Sequence, residues 1–152
     1  MTRGSANGLH KRITGVREAA LKALIVEDDF VNRIILQKIL SQYGENHIAV
    51  TGKEGIFAYK YALHIKAPYD LICMDINMPE MSGLEALKEI RELERDANIQ
   101  PAQRVKVMMV TAVNDMRSVT QAYNELCDSY LVKPIDLEKF RQELKKLHLI
   151  DG

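Results

Sequence analysis

Apolar residues fall in short unbroken runs, separated by stretches whose apolar positions recur at helical spacing. Ala23-Leu24-Ile25-Val26 is the first run, stopped by Glu27-Asp28-Asp29. Ile48-Ala49-Val50, Leu71-Ile72-Cys73-Met74, Val105 to Val110 and Tyr130-Leu131-Val132 follow. Runs of this length without alternation suit strands buried on both faces, as in a parallel sheet. The intervening segments read as helices. One extends from about Phe30 to Tyr43, with Gly44 at its C′ position. The next covers Gly52 to about Ile65, with Pro68 beyond it, and a third covers Leu84 to about Arg95, capped by Ser82. A polar link from Asp96 to Arg104 contains Pro101. A further helix is expected over Asp115 to about Leu126. The last is capped by Asp136 and carries Leu137, Phe140, Leu144 and Leu147 on one face. Strands alternating with helices in this way predict an α/β fold, a five-stranded parallel sheet with helices on both faces and right-handed crossovers.

Composition narrows the class. The 152 residues suffice for one domain with a real core. Lys plus Arg and Asp plus Glu both number 21, and this zero net charge argues against a surface built mainly for DNA or RNA. No apolar run approaches the ~20 residues of a membrane span, and the N-terminus has no apolar signal core. Cys73 and Cys127 lack metal-ligand spacing and read as reduced thiols of an intracellular, cytoplasmic protein; the scattered His10, His47, His64 and His148 offer no zinc site. Residues 1–20, with Gly4, Ser5, Gly8, Gly15, Arg3, Lys11, Arg12 and Arg17, suit a flexible basic extension, or a functional basic arm, ahead of a domain over residues 21–150.

The chemistry gathers at strand ends. Glu27-Asp28 follow the first strand, Asp75 the third, Thr111 the fourth and Lys133 the fifth. In a parallel sheet these ends share one edge, where such sheets place their ligands. Two carboxylates ~4 Å apart repel by about 4 kcal/mol at an effective dielectric near 20. Such a cluster invites a divalent cation, and oxygen ligands without histidine or thiolate favour Mg²⁺ or a similar hard ion. Thr111 and Lys133 add a donor and a positive charge that suit a phosphoryl group beside the metal. Pro79 blocks an immediate helix after Asp75, and Gly83 permits a turn. Taken singly, strand-end acids are often merely solvated, and Lys133 could be a surface lysine.

Glu27-Asp28, the stretch Asp75-Ile-Asn-Met-Pro-Glu-Met-Ser-Gly83, Thr111-Ala112 and Lys133-Pro134-Ile135 together resemble the receiver domain of two-component response regulators, in its single-domain, chemotaxis-regulator-like form. The resemblance runs from about Leu21 to Leu147 and implies a flavodoxin-like, doubly wound fold. It implies that Asp75 is the phosphoacceptor, receiving a phosphoryl group from a sensor histidine kinase or a histidine phosphotransfer protein. It implies that Glu27, Asp28, Asp75 and the backbone carbonyl of Asn77 hold Mg²⁺ (or Mn²⁺), and that Thr111, Ala112 and Lys133 bind the phosphoryl group. Lys133-Pro134 is commonly cis in such domains, which makes Pro134 structural, like Gly83. Thr111 and Tyr130 are the implied switch pair, Tyr130 turning into space that Thr111 vacates; the plainer reading of Tyr130 is a half-buried strand residue.

The chain departs from that pattern in the longer Asp96–Arg104 link, in Ser129 where glycine is common, and in the apolar Val113. Val113 leads us to expect a phospho-Asp75 that is not especially short-lived. On a helical wheel Ile35, Leu36, Ile39, Leu40 and Tyr43 form the core stripe of the first helix. Phe30 and Ile34 fall opposite, exposed near the site, as a candidate docking pair for the phosphodonor or, alternatively, as local packing. The chain stops soon after Ile150, so its output is expected to be a protein contact with an unidentified target. The rival reading is a phosphorylation-independent protein-binding module on the same fold. A phosphatase with an aspartyl-phosphate intermediate is less favoured, because Asn77 stands where such sites carry a second acid.

Overall fold

The computed structural model describes residues 20–112, 114 and 126–151. The expected helix over 115–126 (all but its last residue), Val113 and nearly all of the N-terminal extension lie outside them. The described elements are β1 (Leu21–Val26), α1 (Phe30–Leu40), β2 (Gly44–Ala49), α2 (Gly52–His64), β3 (Leu71–Asp75), α3 (Gly83–Asp96), β4 (Lys106–Thr111), β5 (Ser129–Val132) and α4 (Leu137–Lys146). The five strands form one parallel sheet in the order β2-β1-β3-β4-β5. This is the flavodoxin-like order, whose switch point lies between β1 and β3.

Both faces of the sheet are covered. Leu24, Val26, Ile72, Met74, Val107 and Met109 pack with Tyr59 and Ala62 of α2 and with Ala86, Leu87 and Ile90 of α3. Their alternate neighbours Ala23, Ile25, Leu71, Cys73 and Met108 pack with Leu36, Ile39 and Leu40 of α1 and with Phe140 and Leu144 of α4. β3 is buried along its whole length, which is why its sequence shows no polar alternation. Truncating a side chain such as Ile72 there would leave a cavity and cost about 2–5 kcal/mol. Helix starts are set by side-chain caps: Asp29, Thr51, Ser82 and Asp136 each accept from a backbone N–H three residues on. No described helix is long and apolar enough to cross a membrane.

Three local expectations are corrected. β2 begins at Gly44 rather than Ile48, because its sequence GENHIA is that of a polar, largely exposed edge strand without an apolar run. Gly44 therefore does not end a helix, which stops at Leu40 with Ser41 as cap. It is a glycine because a Cβ there would collide with the Leu21 carbonyl. Gly83 likewise supplies no turn. The left-handed residue of that loop is Glu80 (φ 70°), and a Cβ at Gly83 would strike the backbone carbonyl of Asp75.

A second group of charges closes the opposite edge of the sheet. Glu94 on α3 accepts from the Tyr59 hydroxyl (2.8 Å), the Val105 N–H (2.8 Å) and Arg91 (2.7 Å). Arg91 also donates to the carbonyls of Val105 and Leu126 and to Asp128 (2.9, 2.9 and 3.0 Å). Asp128 in turn accepts from the Val107 N–H at 2.8 Å. The Asp96–Arg104 link, with a 3-10 turn at Pro101–Gln103, thus returns to the sheet under a buried ionic clamp.

Candidate functional site

At the carboxyl edge the strand ends carry the residues expected there. β1 and β3 are neighbours, with Val26 opposite Met74, so Glu27 and Asp75 emerge one residue further along each strand, side by side. Carboxylate oxygens of Glu27, Asp28 and Asp75 all lie within 4.8 Å of one another. Glu27 is fully buried, Asp75 nearly so, and Asp28 is exposed at the rim. From β5, Lys133 reaches in so that its Nζ lies 3.6 Å from Glu27 Oε1 and 3.4 Å from Asp75 Oδ1. The Lys133–Pro134 peptide is cis, as the resemblance implies.

One ammonium does not balance three carboxylates at this depth. Burial, then repulsion from Asp75, pushes the Glu27 carboxyl up to about 7, against an ordinary 4.5, although Lys133 and the Asp29 N–H pull the other way. Burial also raises Asp75, with Lys133 and the Asn77 N–H opposing. That N–H donates only a long bond, 3.4 Å, to Asp75 Oδ1. Glu27 Oε1 accepts from the Asp29 N–H at 3.2 Å, whereas Oε2 is buried with no hydrogen-bond partner among the described residues. A buried anionic oxygen left this way is costly, and a hard cation is the group that satisfies it. The donor set therefore fits Mg²⁺.

Thr111 and Ala112 stand at the adjoining strand end. Asp75 lies opposite Val110 in the register, one residue short of Thr111, and the Lys133 N–H donates to the Thr111 carbonyl at 2.7 Å. The Thr111 hydroxyl is buried and donates to the Ala112 carbonyl at 3.1 Å. Tyr130, on β5, points outward and is 45% exposed. Ser129 starts that strand, and its hydroxyl donates to Glu143 of α4 at 2.6 Å. Asn77 is exposed on the loop after Asp75. Of the expected docking pair, Phe30 is 63% exposed, but Ile34 is half-buried, a correction that the geometry of α1 alone does not explain. Val31, beside Phe30, is the other large apolar residue exposed on α1.

Arg33 escaped the sequence reading. Its guanidinium donates to the carbonyls of Glu27 (3.1 Å) and Asp28 (3.0 Å) and so holds the loop that presents both acids. A signal existed: a cation in the first turns of a helix opposes the macrodipole and calls for a specific partner.

The model of the family described as response regulator receiver domain matches residues 23–145. A hybrid signal transduction histidine kinase, G, of Dictyostelium discoideum is 36% identical over 141 residues, covering 91% of this chain and 4% of that protein. The chain spans 4%, 50% and 62% of the lengths of three curated relatives that it matches. Among solved structures, one similar chain comes from the co-crystal of the Saccharomyces cerevisiae histidine phosphotransfer protein Ypd1 with the receiver domain of its downstream response regulator Ssk1. It has a TM-score of 0.69 at 28% identity, covering 86% of this chain and 90% of that one. The receiver domain of the Arabidopsis thaliana histidine kinase CKI1, complexed with Mg²⁺ and BeF₃⁻, shares the fold with a TM-score of 0.67 at 24% identity over 86% of this chain and 91% of that one.

Proposed function

The chain belongs to the response regulator receiver domain family, and from that membership we propose that it is a phosphorylation-dependent switch whose acceptor is Asp75. The observation that carries the reading is the acid cluster of buried Glu27 and Asp75 with Asp28 at its rim, and Lys133 set between the two buried carboxylates. Residues 21–150 form the receiver unit in this reading, and residues 1–20 precede it as a basic extension. The donor is a phosphohistidine on a sensor histidine kinase or a phosphotransfer protein, acting in the cytoplasm; the Ypd1–Ssk1 pairing of a related receiver supports that class of partner.

An Asp75 carboxylate oxygen attacks phosphorus in line; the bond to the donor imidazole breaks, and the imidazole keeps the electron pair and takes up a proton. Burial raises the energy of the Asp75 anion, which favours its conversion to an acyl phosphate once charge is compensated. Glu27, Asp28, Asp75 and the Asn77 carbonyl would hold Mg²⁺ (or Mn²⁺), which when bound offsets negative charge on the transferring group. Lys133 leaves its place between the carboxylates to bind one phosphoryl oxygen, and Thr111 turns its hydroxyl from Ala112 to another. The backbone at Ala112 is close because its side chain is small. Movement of Thr111 makes room for Tyr130 to turn inward from its outward position. Taking such a switch from 1:99 to 99:1 requires about 5.5 kcal/mol of differential stabilisation, within reach of a few charge-assisted hydrogen bonds. Phe30 and Val31, with half-buried Ile34 a turn further along α1, form the surface where the donor docks. The same groups catalyse loss of the phosphoryl group to water.

Intact mass after incubation with acetyl phosphate and Mg²⁺ tests the reading. We expect one phosphoryl adduct in the native protein and none in Asp75→Ala. No adduct, with acetyl phosphate or with candidate kinases, would leave the protein-binding module as the better account.

A further inference from the structure

The outward faces of α2 and α3 carry features that phosphoryl transfer does not use. On α2, Phe57 and Tyr61 are 70% and 55% exposed, and their rings stack with centroids 6.4 Å apart. With Lys60 and His64 they line a shallow groove of about 280 Å³ along the helix. These four positions, i, i+3, i+4 and i+7, are the seam that a partner helix fills. The groove's charge has one sign. Lys53 and Lys60 are exposed on that line, while Glu54 is turned back and accepts from the Val50 N–H at 3.2 Å.

α3 lies beside α2 on the same face of the sheet, since both helices pack into one core cluster. Its buried side is Ala86, Leu87, Ile90, Arg91 and Glu94. At 100° per residue the line opposite that side is Glu85, Glu92 and Asp96, with Glu89 flanking it as far round as Lys88 does on the other side, and all are exposed. Lys88 and Arg95 fall to one flank of it. A basic, aromatic seam and an acidic ridge therefore stand side by side and face the same way.

We propose that this α2–α3 face is a self-association surface, on which a second copy of the chain, related by a two-fold axis, sets its acidic α3 against the aromatic seam of α2 and receives the reciprocal contact. A two-fold contact is self-complementary by construction, residue i meeting j and j meeting i. Pairing α2 with α2 would instead gather the lysines of both copies, Lys53 and Lys60, in one contact, where they repel. The helices match in length, 13 and 14 residues. The face is separate from the strand ends that carry Asp75, so this inference does not depend on the proposed phosphoryl chemistry.

Sedimentation equilibrium of the whole chain at low salt tests it, with two charge variants. Lys53→Glu/Lys60→Glu makes both helices acidic, and Glu89→Lys/Glu92→Lys makes both basic. Each alone should weaken association about tenfold or more, and Phe57→Ala should do the same. An equimolar mixture of the two charge variants should restore it, because both reciprocal contacts again pair opposite charges. Helical circular dichroism and melting show that each variant is folded; recovery in the mixture also excludes unfolding as the cause of the loss. A native chain that stays monomeric up to about 1 mM overturns the proposal and leaves the face to a different acidic partner. Association that ignores the charge variants, or a mixture that does not recover, overturns it as well.

Discussion

Glu94 and Glu27 are both fully buried carboxylates on one sheet, and they are treated in opposite ways. At the amino-terminal edge, Glu94 has both oxygens occupied, by Tyr59 and Val105 on one and by Arg91 on the other. In addition, Arg91 donates to the carbonyls of Val105 and Leu126 and to Asp128. At the carboxyl edge, Glu27 shares one lysine with Asp75 at ion-pair distances above 3.3 Å and keeps an oxygen without a partner among the described residues. The first cluster is complete within the chain and fastens α3 to β4 and to the entry of β5. The second is left incomplete by the described residues, as a site for a cation and a phosphoryl group would be. The difference teaches that burial of charge is not in itself a mark of function; unsatisfied burial is.

Removing one partner from the complete cluster should have the largest effect. Arg91→Met leaves Glu94 buried and unpaired, and we expect a loss of about 3–5 kcal/mol in denaturant unfolding. A loss near zero would mean that the two edges are not as different as their contacts indicate. The matching change at the other edge should have the opposite sign. Glu27→Gln removes a strained charge and should stabilise the metal-free protein by about 1–3 kcal/mol at pH 8. Its pH dependence follows from the raised carboxyl. Below the ordinary 4.5 Glu27 is protonated in both folded and unfolded chains and costs nothing; the cost grows as pH rises toward about 7 and is complete above it. The gain from Glu27→Gln should therefore vanish near pH 4, as thermal melts in buffers from pH 4 to 8 would reveal.

Mg²⁺ sharpens the contrast from the other direction. At ten times its Kd it should stabilise the native chain by about 1.4 kcal/mol at pH 8, markedly less at pH 5, and hardly at all in Glu27→Gln. Arg91→Met should leave that increment unchanged, because its cluster lies at the far edge. Smallest of the four, Tyr59→Phe should cost about 1 kcal/mol in the same unfolding assay, since Glu94 keeps its bonds to Arg91 and Val105.

Much of this was legible in the residues. The unbroken apolar run before Asp75, the acids after Val26, and Lys133-Pro134 after Leu131-Val132 placed three strand ends and their chemistry, because a strand buried on both faces leaves a pattern that depends only on its own residues. The caps Ser82 and Asp136 were legible for the same reason, as their bonds are made three residues away. β2 was shortened because an edge strand draws its stability from pairing with β1 and not from an apolar sequence. Gly44 and Gly83 could be suspected of turns, yet what requires each glycine is a carbonyl, of Leu21 or of Asp75, that only the folded chain brings against it.

The clamp at Arg91 and Glu94 left no trace in the sequence, where both look like ordinary charges on an amphipathic helix. Their burial depends on Tyr59, Val105 and Asp128, up to 37 positions away. Local chemistry, meaning apolar runs, caps and the residue types at strand ends, was decided by the amino-acid order, because each such feature is set by neighbours along the chain. Which acids stand within reach of one another, which charges are satisfied and which oxygen is left over among the described residues were decided by the fold. Electrostatic energy at those sites depends on distance and burial in space, and separation along the chain carries no measure of either.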